Sequence, residues 1–224
     1  GEAFPVDIKK RLAAATPNIG LYTFFAQTEA GFITGLRPDE QAAHPDSCGR
    51  PIPAVEVRIV DENLNEVEAD TVGEIICRCG PPGMMSMPEY WNNPIATNAA
   101  IHDGWLRTGD LGRMDARGYV TVTGRVKEMI IRGGENHFPA EIENCLLEHA
   151  SVAEVAVVGL PDPKWGEVIG AFIRGTGPLD KSVLHAHCRA TARSRPRKTG
   201  LLRGRVISVL SEHFIVVCAL IVMC

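Results

Sequence analysis

Apolar residues at Phe4, Ile8 and Leu12 recur every four positions and predict a helix over Phe4–Ala15, ended by Pro17-Asn18. The short apolar run Ile19–Phe25 predicts a buried strand, and Leu36–Ser47 a polar loop. Gly49–Pro53 turns into Val55–Val60, where Val, Val and Ile alternate with Glu and Arg. After a turn at Asp61–Asn65, Gly73–Cys79 alternates again, so the two runs predict a half-buried antiparallel hairpin. Gly80–Met87 is a Pro/Gly/Met loop whose methionines suit an apolar channel or plain gap-filling equally. Tyr119–Thr123 and Val126–Arg132 read as strands separated by Gly124-Arg125. Pro139–His149 carries Ile142, Cys145, Leu146 and His149 on one face and acids in its first turn, which predicts an amphipathic helix. Val152–Val158 and Val168–Ile173 read as strands around a turn at Leu160–Trp165, followed by a helix over Leu179–Ala190. Strands and helices in this order indicate an α+β fold with a small α+β domain at the rear.

Composition changes this picture little. With 22% charged and 45% hydrophobic residues, 224 residues are enough for one or two cores. A net charge of −4 gives no sign of a nucleic-acid partner. The seven cysteines are odd in number, and none belongs to a paired Cys-x-x-Cys, which predicts free thiols in the cytoplasm or another reducing compartment and no cysteine metal site. Gly1–Arg11 is polar and charged, unlike a signal segment, and Gly1 is not an initiator methionine, so the natural start is expected elsewhere.

The chemistry concentrates in Gly104–Glu143. Thr108-Gly109-Asp110 places a carboxylate on a glycine-flanked bend, and a carboxylate's two acceptor oxygens suit a vicinal diol such as a ribose. Arg125 and Lys127 lie two apart, followed by Gly133-Gly134 and a helix opened by Pro139. This layout fits a ligand bearing hydroxyls and phosphate held near a hinge. Two β-turns and a polar helix start on a surface would account for the same residues.

Three stretches, GWLRTGDLG (104–112), GRVKEMIIRGGENHFPAEIE (124–143) and VVGLPDPKWGEVIGAF (157–172), together with Phe25-Ala26-Gln27-Thr28-Glu29, resemble the adenylate-forming (AMP-binding, acyl-CoA synthetase) superfamily, and within it the fatty-acid CoA ligases. The resemblance covers about Gly1 to Lys198 but only the rear part of such an enzyme. It implies that 1–124 is the end of the large AMP-binding N-terminal domain, with a sheet edge and a distorted β-barrel. It makes 125–198 the small mobile C-terminal domain, incomplete, and 199–224 a non-family basic and apolar tail. The cofactors and substrates implied are ATP or AMP, Mg²⁺, a carboxylic acid and CoA. By resemblance Phe25 packs on adenine, Thr28 meets the phosphate and Glu29 helps hold Mg²⁺. Asp110 accepts the ribose hydroxyls, Arg125 lies near the same ribose and phosphate, Lys127 falls at the hinge, and Gly133-Gly134 line the CoA passage with the face near Trp165. Tyr90 and Trp91 are given structural roles, and His149, His185 and His187 are read as surface histidines.

Two departures from the family pattern stand out. The 224 residues hold no Ser/Thr/Gly-rich stretch ending in Pro-Lys, and beyond Lys198 no Gly-Lys pair, so no catalytic lysine is assigned and this chain alone is expected to be inactive in adenylation. The tail joins a basic run from Arg193 to Arg205 to the apolar Val206–Cys224. Nineteen residues are just enough to span a bilayer, which makes membrane association through 206–224 one reading, with Glu212 and His213 against it. An altered reading frame or exon end is the favoured reading, and it predicts a small domain without its closing strand. The alternative to a ligase is a non-catalytic fragment that binds nucleotide or a partner.

Overall fold

The computed structural model describes residues 6–80, 87–194, 207–211 and 214–219. It divides the chain into two compact units at Val126/Lys127.

The first unit opens with helix α1 (Val6–Ala15). Its apolar Ile8 and Leu12 face outward, while Lys9 is only 6% exposed. Lys9 Nζ donates to the carbonyls of Pro45 at 3.1 Å and Ser47 at 3.2 Å, which offsets the desolvation of its charge. Strands β1 (Thr23–Gln27), β2 (Gly31–Leu36) and β3 (Arg50–Pro51) form a three-stranded antiparallel sheet in that order. The buried strand expected at Ile19–Phe25 is therefore displaced toward Gln27. It alternates rather than being wholly buried, and Ile19, Tyr22 and Phe24 are exposed. A short apolar run cannot distinguish these cases by itself. The strand β2 went unread because Gly31, Thr34 and Gly35 dilute its pattern.

The expected hairpin is present as β4 (Val55–Val60) and β5 (Gly73–Cys79), paired from Val55↔Cys79 to Val60↔Glu74. Asp61 Oδ1 accepts from the backbone N–H groups of Asn63 and Asn65, both at 2.9 Å, and so makes the turn at 61–65. Helix α2 (Pro94–Ala100) is capped by Asn93, whose side chain accepts from Ala96 N. Then β6 (Ile101–His102), β7 (Trp105–Met114) and β8 (Val120–Arg125) complete a five-stranded antiparallel sheet. Ile33, Val57, Ile59, Ile75, Cys77 and Val120 are at the centre of one core under these sheets. Both sheets stay open, so the barrel expected here is not closed among the described residues.

The second unit starts in a 3₁₀ turn (Val126–Glu128), where a strand had been expected to begin. Strands β9 (Ile130–Arg132) and β10 (Glu135–His137) form a hairpin across Gly133-Gly134, both with positive φ (58° and 84°). A two-residue hairpin turn of this kind favours glycine at both positions. Helix α3 (Pro139–Leu147) follows with Pro139 in its first turn and Ile142, Cys145 and Leu146 buried. Strands β11 (Val152–Asp162) and β12 (Gly166–Gly175) pair along their lengths, and helix α4 (Lys181–Ser194) packs against α3. Ile130, Ile142, Val157, Ile169, Ile173 and Leu184 make a second core.

The tail departs from expectation. Strands β13 (Ile207–Ser211) and β14 (Phe214–Ala219) pair with each other, and β14 pairs with β12 from Ile169↔Ala219 to Ile173↔Ile215. The small domain is not left without a strand on that side, because a run rich in Val and Ile supplies one. No helix among the described residues is long and apolar enough to cross a membrane. Met84 and Met85, the basic residues from Arg195 to Arg205, and Glu212 and His213 lie outside the described residues.

Candidate functional site

Asp110 does not stand on an open bend, as its glycine neighbour suggested; it lies inside β7 and is 7% exposed. The bend is a bulge. Glu74 pairs with Leu111 and Ile76 with Arg107, so residues 108–110 of β7 oppose Ile75 alone. Three contacts hold the bulge. Thr108 Oγ1 donates to Ile75 O at 2.6 Å, Asp110 N donates to Thr108 Oγ1 at 3.1 Å, and Gly109 N donates to Glu74 Oε1 at 3.2 Å. Glu74 is itself fixed by Arg107, whose Nε and Nη2 donate to its other oxygen at 3.0 and 2.5 Å. A bulge re-aims the side chain it carries, and here that side chain is Asp110.

Register then brings Arg125 opposite Asp110, on the last residue of β8. Arg125 Nε lies 3.5 Å from Asp110 Oδ1, with the arginine side chain 49% exposed. The expected turn at Gly124-Arg125 is instead the end of this strand. The other oxygen, Oδ2, accepts from Gln27 Nε2 at 2.6 Å. Gln27 comes from the other sheet of the unit, as the final residue of β1, and its amide also donates to Thr108 O at 2.9 Å.

Thr28, Glu29 and Ala30 form the tip of the hairpin that follows, closed by the Gln27↔Gly31 pair. These residues are thus at a turn of an antiparallel sheet. Thr28 is exposed, and Phe25 is half-buried against the core of the first unit. Glu29 O accepts from Met87 N at 2.7 Å, and Glu29 Oε1 accepts from Tyr90 Oη at 3.0 Å. Burial, and then this bond to a carboxylate, push the Tyr90 phenol above its ordinary pKa. Trp91, its neighbour, is 92% exposed. Among the described residues no group of three or more His, Cys, Asp or Glu is gathered for a metal. A lone carboxylate such as Glu29 fits Mg²⁺ all the same, because that ion takes one or two carboxylates and completes its shell with water and phosphate oxygens.

Gln27 and Tyr90 join the candidate residues only through these contacts. The signal for Gln27 was available, since two-residue alternation puts it on the same face of the strand as Phe25. Nothing local in the sequence ties Tyr90 to Glu29, 61 positions away.

Lys127, Gly133 and Gly134 belong to the second unit. Lys127 is exposed in the 3₁₀ turn. Gly133 N donates to Trp165 O at 2.9 Å, and a Cβ on Gly133 would come 2.9 Å from Trp165 Cε3. The same indole carries the Arg132 guanidinium at 4.7 Å and the Lys164 ammonium at 4.9 Å. Gly133 therefore packs directly against Trp165.

Comparison with known proteins agrees with both units. Residues 1–91 match the AMP-binding enzyme family model, and 141–203 match that of the AMP-binding enzyme C-terminal domain, slightly past the point where the resemblance was judged to end. The chain is 44% identical over 169 residues to the indoleacetate–CoA ligase of Aromatoleum aromaticum, covering 75% of this chain and 32% of that protein. It is 41% identical over 182 residues to the medium/long-chain-fatty-acid–CoA ligase FadD8 of Mycobacterium tuberculosis, covering 79% and 31%. Among solved structures, o-succinylbenzoate CoA synthetase of Bacillus subtilis, in complex with its acyl-adenylate intermediate, superposes with a TM-score of 0.77 at 30% identity. That match covers 91% of this chain and 40% of that one. The amide bond synthetase McbA of Marinactinospora thermotolerans gives 0.72 at 36% identity, covering 81% and 37%. The chain spans about a third of the length of the curated relatives it matches. With two models of one family matched in order and the fold shared, this chain belongs to the adenylate-forming family of AMP-binding enzymes, over a portion that ends in the family's C-terminal domain.

Proposed function

We propose that these residues are the nucleotide-facing rear part of an ATP-dependent acid–CoA ligase acting on fatty acids. The observation that carries the reading is the buried Asp110 carboxylate, held on one side by Gln27 and on the other by Arg125. Such a carboxylate is built to accept two neighbouring hydroxyls of a ribose. In this reading the substrate carboxylate attacks the α-phosphorus of ATP, releasing pyrophosphate and leaving an acyl-adenylate. The CoA thiol then attacks the acyl carbon, and AMP leaves. Phe25 offers its face to adenine, Thr28 donates to phosphate, and Glu29 would hold Mg²⁺, which neutralises phosphate charge when bound. Arg125 faces the ribose and phosphate, Lys127 is the pivot between the two half-reactions, and Gly133-Gly134, packed at Trp165, border the passage of the pantetheine arm. Fatty acids are favoured over other acids because the motif likeness is nearest to those ligases, and because one relative acts on medium and long chains. Indoleacetate and sulfoacetate, named for two other relatives, are the rival substrates.

The test is ATP–pyrophosphate exchange by the natural polypeptide that carries these residues, with Mg²⁺ and each of the three acids in turn. Exchange is expected with a medium-chain fatty acid. Asp110→Asn should reduce nucleotide affinity by about 10- to 100-fold, the worth of hydrogen bonds to a charged acceptor. Exchange with indoleacetate or sulfoacetate alone would overturn the substrate, and nucleotide binding indifferent to Asp110 would overturn the site. The 224 residues alone are expected to stay at the blank. Nucleotide binding without exchange in the natural polypeptide would favour the non-catalytic alternative.

A further inference from the structure

We infer that Gln27 is a positioning residue for ribose recognition, its side-chain amide setting the plane of the Asp110 carboxylate. The inference rests on the reading of Asp110 as the ribose acceptor. It goes beyond that reading by assigning a role to a residue which that reading leaves without one.

The amide's orientation is fixed chemically. Nε2 lies 2.6 Å from Asp110 Oδ2 and 2.9 Å from Thr108 O, and both partners are acceptors, so the –NH₂ group must face them and the amide carbonyl must point away. The two bonds triangulate Gln27 on the bulge itself, one to its first residue and one to its last. Arg125 cannot do this alone. Its contact to Oδ1 is 3.5 Å long and comes from a half-exposed side chain, whereas the Gln27 bond is short and part-buried. A carboxylate that must meet two hydroxyls at once needs its plane fixed before the ligand arrives, and a short donor on one oxygen provides that.

Gln27 also has a place in the chain that Arg125 lacks. It is the last residue before the hairpin tip bearing Thr28 and Glu29, and its bond to Asp110 joins the three-stranded sheet to the five-stranded one. This side chain is therefore a direct link between the group read as facing the ribose and the turn that carries the groups read as facing phosphate and metal. Neighbouring substitutions differ in what they keep. Gln27→Asn retains the amide but is one methylene too short to reach both acceptors. Gln27→Leu keeps the bulk and removes the donor.

The experiment measures the dissociation constants of ATP and of 2′,3′-dideoxy-ATP for the wild-type natural polypeptide, Gln27→Leu and Gln27→Asn, with the melting midpoint of each. The wild type should prefer ATP by at least about 10-fold, and both variants should lose most of that preference while binding the dideoxy analogue as the wild type does. A residue that merely supported the fold would weaken both nucleotides together. Equal loss for both, or a preference retained in either folded variant, would overturn the role of Gln27 and leave Asp110 in place. A wild type that does not discriminate between the two nucleotides would remove the ribose reading, and the inference with it.

Discussion

At the scale of single residues, the site is made by side chains whose surroundings are set from far along the chain. Asp110 is legible in the sequence as a carboxylate next to glycine. Its burial and its two partners come from Gln27 and Arg125, on other strands. Gly49 shows the same dependence. With φ at 94°, it approaches the backbone of Gly35 so closely that a Cβ would lie 2.0 Å from that residue's carbonyl. Gly49→Ala must move β2 or lose the Gly49↔Val120 bridge, and is expected to destabilise the first unit by about 2–4 kcal/mol. Thermal unfolding checks this, and a midpoint within a degree of wild type would contradict it.

Elements were easier to foresee than their faces. The β4–β5 hairpin and helix α3 follow from alternation and from a proline in the first turn, which are local signals. The outward turn of Ile8 and Leu12 on α1, with Lys9 inward, runs against the apolar pattern, because a pattern identifies a face without saying what covers it. The β9–β10 hairpin buries His137 at 5% exposure, and its Nε2 has no hydrogen-bond partner among the described residues. Burial, aided by Arg132 and opposed by Glu135, holds the imidazole below its ordinary 6.5. As the pH falls, the unfolded chain therefore takes up the proton first. Stability of the second unit should be full above about 6.5 and decline as the pH drops from there through the lowered folded value. His137→Phe should flatten that part of the profile. Denaturant melts between pH 7.5 and 5 would show it, and an unchanged slope in the variant would rule it out.

For the whole molecule, the main surprise is the tail. Its basic and apolar composition admitted a membrane span or an altered frame, and both readings treat it as foreign to the fold. Instead β14 lies along β12, against backbone whose side chains Ile169, Ala171 and Ile173 belong to the second core. Removing residues 207–224 would leave that edge of β12 unpaired over five residues. The shortened chain is expected to melt earlier in its second unit and to associate with rising concentration, as open apolar edges do. Calorimetry and sedimentation compare the two chains, and equal melting with no association would show that the strands add nothing.

The sequence by itself determined the family and the order of most elements, because each rests on local spacing: a turn glycine, a period of two or four, a motif of a few residues. The tertiary structure alone decided which of those residues meet. It set the bulge that turns Asp110 toward Gln27, the phenol of Tyr90 against Glu29, and the strand the tail becomes. Each is a pairing between positions tens of residues apart, fixed by sheet register and burial, to which no local pattern is sensitive.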